Sequence, residues 1–221
     1  MNESALVIGA SGGIGQALCE VLTERGYSVT GLSRSLDGLD LTDQQSVDRV
    51  LGGLKPSYQC IFVTTGVLAA EGHRPEKRLD EIDAATMARV FAVNAIGVAL
   101  VLKHLPRLLS RDRPARAAVL TARVGSIADN RMGGWYSYRA SKAAANQLVH
   151  TAAIELSRTH RLATLIALHP GTVDTPFTAD YSGREKLSPR QAACRLIDVL
   201  QEMTTEQNGM FFDYAGKVVP W

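Results

Sequence analysis

Within Trp135-Tyr-Ser-Tyr138-Arg-Ala-Ser-Lys142-Ala-Ala-Ala-Asn146, Tyr138 and Lys142 stand four residues apart. On a helix they share one face a turn apart, so their heads reach a common ligand. A tyrosine phenol ordinarily titrates at about 10, too high for efficient proton exchange at neutral pH, and a fixed ammonium beside it favours the phenolate. The pair has the make-up of a general acid/base. An exposed amphipathic contact is the commoner fate of such a pair, and the aromatic residues and Gly133-Gly134 just before the helix tilt the reading towards function.

A second set of residues suits a phosphate. Gly9-Ala-Ser11-Gly12-Gly13-Ile14-Gly15 follows a short apolar run and leads into a helical pattern. Glycine lets the backbone turn tightly and approach a pyrophosphate, whose charge is favoured by free N–H groups at a helix N-terminus. A plain strand-to-helix turn is the alternative. The next strand ends in Ser33-Arg34, with Arg34 19 residues past Gly15. An acidic residue there would bind the ribose 2'-hydroxyl of NAD, whereas arginine accommodates the 2'-phosphate of NADP. Arg34 therefore favours NADP; Asp37 ranks second for the NAD role, and a solvated arginine is the bland reading.

The elements that must position these groups follow from periodicity. Apolar runs at residues 5–9, 27–32, 60–64, 117–121 and 162–168 alternate with helical patterns at 14–25, 43–54, 84–110, 135–159 and 189–203, and a last strand is expected at 209–214. The strands lack polar alternation, as strands buried on both faces do. The expected fold is α/β: a single domain over residues 1–221, with a doubly wound parallel sheet of the Rossmann type and helices on both faces. Ligands bind beyond the carboxyl ends of such strands, which points to the loops at 69–78, 124–134 and 175–188.

Composition narrows the class. The chain has 221 residues, 46% hydrophobic and 21% charged, with a formal charge of +2 and scattered basic residues, which makes nucleic acid an unexpected partner. Cys19, Cys60 and Cys194 lie far apart, without metal-ligand or disulfide spacing, so no metal is expected. The N-terminus lacks the pattern of a signal peptide and nothing approaches membrane-spanning length, so a cytoplasmic protein without membrane contact is expected.

Gly-x3-Gly-x-Gly at the first turn, Tyr-x3-Lys in a late helix, Asn94 in the middle helix and Pro170-Gly171-Thr172-Val173-Asp-Thr175 after the sixth strand together resemble the short-chain dehydrogenase/reductase family over nearly the whole chain. Arg123-Val-Gly-Ser126-Ile, Gly133-Gly-Trp-Tyr-Ser-Tyr, Leu168-His-Pro-Gly and the ending Val219-Pro-Trp221 resemble its C-factor-like and sniffer-type carbonyl reductase subgroup. The resemblance implies an NADP(H)-dependent oxidoreductase that interconverts a small-molecule carbonyl and an alcohol. Tyr138 would be the proton donor, and Lys142 would bind the nicotinamide ribose and depress the tyrosine pKa. Asn94 would hold a kink and a relay water, although an amide satisfied by local backbone reads the same. Thr172, Val173 and Thr175 would hold the carboxamide and Asp40 would contact adenine, while Thr65-Gly66 replaces the family's usual Asn-Ala-Gly under the adenosine. Pro170-Gly171 also reads as an ordinary turn.

One position departs from the pattern. The family places a serine at the end of its fifth strand to hydrogen-bond the substrate carbonyl, and position 122 is alanine here. Losing such a donor costs about a hundred- to a thousand-fold in rate. Ser126, 12 residues before Tyr138, is the expected stand-in, set against a turn serine bonding its own backbone. Thr121 should point to the opposite face of a regular strand. The alternative function is an NADP(H)-binding signalling or scaffold protein with little turnover. Helices 84–110 and 135–159 are expected to support a homodimer or homotetramer. The segment 175–188 should form part of a lid with Phe177 and Tyr181, and His73 and Trp135 are candidate pocket residues.

Overall fold

The computed structural model describes residues 3–55, 57–179 and 185–221, so Tyr181 lies outside the described residues. In chain order the elements are β1 (Ser4–Ile8), α1 (Gly13–Glu24), β2 (Ser28–Leu32), the one-turn α2 (Arg34–Asp37), α3 (Gln44–Gly52), β3 (Cys60–Val63), α4 (Ala84–Phe91), a π-helical turn (Ala92–Ile96), α5 (Gly97–Leu102), α6 (Leu105–Leu108), β4 (Ala115–Leu120), α7 (Tyr136–Leu156), β5 (Ala163–His169), α8 (Pro189–Glu202) and β6 (Phe211–Asp213). The six strands are all parallel, in the order β2-β1-β3-β4-β5-β6. This is the doubly wound sheet expected from the sequence.

Period-2 alternation within unbroken apolar strands divides the interior into two cores. Ala5 and Val7 of β1, Phe62 of β3, Ala118 and Leu120 of β4 and Ile166 and Leu168 of β5 pack under α1 and α8. Leu6 and Ile8, Ile61 and Val63, Ala117 and Val119, and Leu165 and Ala167 pack on the other face with Val47 of α3, Val98 and Val101 of α5 and Val149 and Ala153 of α7. Each fully buried Leu, Ile, Val or Phe contributes about 1.5–3 kcal/mol, so both faces stabilise one sheet.

Three expectations need correcting. The strand before Pro170 is the fifth, not the sixth, because β2 reaches α3 through residues 33–43 and their single helical turn, with no further strand between them. The expected helix at 84–110 is also broken. The π turn interrupts it around Asn94, and a turn at Lys103-His104 precedes α6, which carries Pro106 in its first turn. Proline has no N–H to donate to the preceding turn. Contrary to the expectation about length, the 19-residue stretch Ala84–Leu102 is long and apolar enough to cross a membrane by composition. Its Val90, Asn94, Ala95, Val98, Val101 and Leu102 are buried, so it is a core helix here.

Candidate active site

The turn from β1 to α1 is made of backbone. Gly9 has φ of 95°, and a Cβ there would stand 2.5 Å from Thr64 Oγ1. At Gly15 a Cβ would stand 2.1 Å from the Gly9 carbonyl oxygen, and at Gly13 it would stand 2.7 Å from Thr175 Cγ2. The turn is therefore closed against its own backbone at Gly15 and against the side chains of Thr64 and Thr175 at Gly9 and Gly13. Gly12 caps α1 with no side-chain bond to the first N–H groups, which leaves a positive helix end next to exposed Ser11.

At the end of β2, Ser33 is buried and caps α2, its Oγ accepting from Leu36 N at 3.2 Å. Ser33 N donates to Asp37 Oδ2 at 2.8 Å, so the carboxylate that competes for the ribose role is occupied by the turn it closes. Arg34, between them, is exposed. Asp40 Oδ1 accepts from Thr42 N and Thr42 Oγ1 at 2.9 and 2.7 Å. Those bonds, with Arg34 nearby, hold its carboxyl below the usual range.

The catalytic candidates converge above β3 and β4. Lys142 is 3% exposed, its Nζ donates to Leu120 O at 3.1 Å, and it lies 5.9 Å from the centre of the Tyr138 ring. Burial pushes its ammonium down to about 8. A Cβ on Gly66 would stand 3.0 Å from Lys142 Nζ and 3.3 Å from Asn94 Oδ1, close enough to shift the amine by a few tenths of an ångström. Asn94 accepts from Val67 N and donates to Val67 O, both at 2.8 Å, and donates to Ser141 Oγ at 3.1 Å. Its amide thus pins the loop after β3 to the π turn, 27 residues away, and is not spent on local backbone. Tyr138 is 6% exposed, with Trp135 and Phe177 rings 6.2 and 6.1 Å away.

Past β5, Gly171 has φ of 82° against the Tyr214 ring, Val173 is buried, and Thr172 O accepts from Leu187 N at 2.9 Å. Pro170 is half-buried beside them.

The residues around position 122 fall out differently from one another. Ser126 ends the turn Arg123–Gly125, and its Oγ accepts from Asp129 N at 3.1 Å, which is the turn role set against it in the sequence. Gly125 lies against the α7 backbone, where a Cβ would be 2.9 Å from Lys142 C. Thr121 is 3% exposed and its Oγ1 has no partner among the described residues. Val119, two residues earlier, packs in the core under α7, whereas Leu120 packs in the core under α8. Ala122 stays extended, with φ of −143° and ψ of 143°. Alternation through it puts Thr121, not residue 122, on the face that α7 covers.

Glu76 gave no sign of itself in the sequence. It is 6% exposed, its Oε2 accepts from Ser137 N at 3.2 Å, its Oε1 accepts from Ser137 Oγ, and its carbonyl oxygen accepts from Trp135 N. A carboxylate from the loop after β3 thus caps the helix that carries Tyr138, and Trp135 at that cap takes a left-handed φ of 55°. Only the fold brings the two together, since 61 residues separate Glu76 from Ser137.

A glycine turn shaped for phosphate and a Tyr/Lys pair at the same edge of a doubly wound sheet mark a nucleotide-dependent oxidoreductase architecture. A family model described as Enoyl-(Acyl carrier protein) reductase matches residues 9–205, and the chain belongs to the short-chain dehydrogenase/reductase family. It is 30% identical, over 99% of its length and 100% of the relative's, to 1-hydroxy-2-glutathionyl-2-methyl-3-butene dehydrogenase of Rhodococcus sp. (strain AD45). It is 38% identical to C-signal of Myxococcus xanthus over 65% of this chain and 83% of that protein. Among solved structures, a short-chain dehydrogenase/reductase from Burkholderia multivorans with bound NADP matches with a TM-score of 0.81 and 25% identity, covering 100% of both chains.

Proposed function

We propose that this chain is an NADP(H)-dependent carbonyl reductase, or an alcohol dehydrogenase in reverse, with Tyr138 as general acid/base. The observation that carries the reading is the buried Lys142 ammonium beside the Tyr138 ring, framed by Gly66 and Asn94. A fixed positive charge there makes the phenol a usable acid near neutrality.

The residues present fit a dinucleotide. Its phosphates suit the turn of Gly9, Ser11, Gly12, Gly13, Ile14 and Gly15, its adenosine end the half-buried Thr65, whose Oγ1 has no partner among the described residues, with Gly66, Ser33, Arg34 and Asp40. Its nicotinamide end suits Pro170, Gly171, Thr172, Val173 and Thr175. With Asp37 engaged by Ser33 N, exposed Arg34 is the group left to meet a 2'-phosphate, and the Burkholderia relative carries NADP. When bound, the cofactor supplies or takes the hydride.

The chain's own residues do the rest. Tyr138 gives its hydroxyl proton to the carbonyl oxygen, or takes one from the alcohol. Lys142 keeps that hydroxyl acidic. Asn94 holds the Val67 loop, and so the backbone beside Lys142, in place. Thr121 supplies the second hydrogen bond to the carbonyl oxygen, in place of Ser126, because its hydroxyl is buried, without a partner among the described residues, and on the α7 face. Trp135 and Phe177 flank the phenol and favour an apolar substituent on the carbonyl. We place the enzyme in the cytoplasm, as a dimer or tetramer with exposed Ile96 and Ile154 at the subunit contact; monomers alone in sedimentation would remove that part of the reading.

Ala122 and the likeness to C-signal favour a second reading, a nucleotide-binding signalling protein with little turnover. NADPH oxidation across a panel of aldehydes and ketones separates the two. Turnover that falls about 100- to 10,000-fold in Tyr138→Phe supports the enzyme. Tight NADP(H) binding with equal, negligible rates in both proteins supports the second reading.

A further inference from the structure

Four buried polar atoms near the ends of β4 and β5 have no partner among the described protein atoms: Thr121 Oγ1, Asn146 Oδ1, Asn146 Nδ2 and His169 Nδ1. Strand register and helix stripe place all three residues on the α7 side of the sheet. Val119 pairs with Ala167 and Leu120 with Leu168, and Thr121 N donates to Leu168 O at 3.0 Å, so the ladder continues and sets Thr121 beside His169. Val119 and Ala167 share the core under α7, and alternation puts Thr121 and His169 on that face. On α7, Asn146 precedes Val149 by three residues and Ala153 by seven, on the stripe that packs against this core. Lys142, one turn before Asn146, reaches Leu120 O from above.

A buried polar atom left unpaired costs about 1–3 kcal/mol, and an apolar side chain of similar shape would avoid that cost. The donor and acceptor types suggest what is gained. A threonine hydroxyl has one proton to give and two lone pairs. If the proton is to point at a substrate oxygen, the lone pairs need donors from behind. The Asn146 amide supplies two N–H groups, and a neutral imidazole protonated on Nδ1 supplies one. His169 is held neutral because burial pushes its pKa down to about 4, against a smaller upward pull from Asp213.

We propose that Asn146 and His169 are positioning residues for Thr121, donating to its hydroxyl oxygen through one water, so that its proton is aimed at the substrate carbonyl. The proposal rests on the reading of Thr121 as the carbonyl donor.

The test uses the full chain, with NADPH and an activated carbonyl, and compares Thr121→Val, Asn146→Leu, His169→Phe and the double variant Thr121→Val/Asn146→Leu. Asn146→Leu and His169→Phe are each expected to lower kcat about 10- to 100-fold with KM for NADPH unchanged. Their melting temperatures should hold or rise, and the double variant should be no slower than Thr121→Val, since both remove one device. His169→Asn, which restores a donor, should recover part of the rate. Wild-type kcat in Asn146→Leu and His169→Phe with Thr121→Val slow would overturn the positioning proposal alone. Wild-type kcat in Thr121→Val would overturn the donor reading and the proposal with it. If Asn146→Leu does not fold, His169→Phe and Asn146→Ala decide by the same criteria.

Discussion

The turn from β1 to α1 and the junction of β4 with α7 lie at the same edge of one sheet and are built from opposite materials. The first is a run of bare backbone: three glycines whose added Cβ atoms would meet Thr64 Oγ1, Thr175 Cγ2 and the Gly9 oxygen at 2.5, 2.7 and 2.1 Å. The second is side chains gathered from afar, with Asn94 bonded to Val67, Lys142 to Leu120 and Ser137 to Glu76. A backbone site is local in sequence and intolerant of a single methyl. A side-chain site depends on register and packing across the whole sheet, and its parts fail one at a time.

The contrast breaks most sharply at Gly15. A Cβ there would sit 2.1 Å from the Gly9 oxygen and 2.8 Å from its carbonyl carbon, both backbone atoms that cannot swing aside. Gly15→Ala is expected to cost about 4 kcal/mol or more in denaturant unfolding, at the upper end for overpacking. Gly12→Ala, with 3.4 Å to the same oxygen and φ of −77°, should stay within about 1 kcal/mol. Equal stability for the two would mean that the turn is not held by backbone contact.

On the side-chain half, the largest effect is expected at Thr121. Thr121→Val keeps the shape and removes the hydroxyl, and should lower kcat about 100- to 1,000-fold. Ser126→Ala, which loses a turn bond to Asp129 N, should change kcat less than about threefold. Ala122→Ser should gain little, because Thr121 already supplies the donor. A slow Ser126→Ala beside a normal Thr121→Val would return the donor role to Ser126.

The same contrast explains what the sequence could say. The glycine turn, the strands and the Tyr-x3-Lys helix are local patterns, and each falls within a few residues of its expected place. The choice among Thr121, Ala122 and Ser126 was not legible, because it turns on which face of β4 is covered by α7. Strand alternation says that 121 and 122 point apart, and only the two cores say which way. Glu76 was invisible for a related reason: its partner lies 61 residues away, and a lone Glu in a polar loop has no sequence signature. The break of the expected helix at 84–110 left clearer traces in Asn94, Gly97 and Pro106, but periodicity alone ran through them.

Charge offers a third way to sharpen the comparison. Burial pushes Lys142 from 10.5 down to about 8, so the folded protein sheds this proton earlier than the unfolded chain does. Between those two pH values the unfolded state binds more protons, and stability therefore rises with pH across the window. The full shift is worth about 3 kcal/mol, a cost borne below pH 8 to keep an ammonium in the core. Subtracting the pH dependence of Lys142→Met from that of wild type should leave this rise, and a flat difference would show that the amine is not buried charged. In the wild type, kcat/KM for carbonyl reduction should fall above about pH 8 as the ammonium beside Tyr138 is lost.

The smallest expected effect lies where the two kinds of construction meet. Glu76 uses side-chain chemistry to finish a backbone structure, accepting from Ser137 N at 3.2 Å in the first turn of α7. Glu76→Gln keeps the shape and an acceptor but removes the negative charge facing the positive end of a helix, an interaction worth about 0.3–1 kcal/mol and up to about 2 when partly buried. Thermal unfolding should therefore drop by about 2–4 °C for a chain of this size. Because the capped turn also fixes Trp135, whose ring lies 6.2 Å from Tyr138, KM for the carbonyl should rise more than kcat falls. Glu76→Ala leaves Ser137 N–H buried without its acceptor and should roughly double the stability loss. If both variants melt like wild type, α7 starts correctly without Glu76, and the helix bearing Tyr138 is set by its packing on β5 alone.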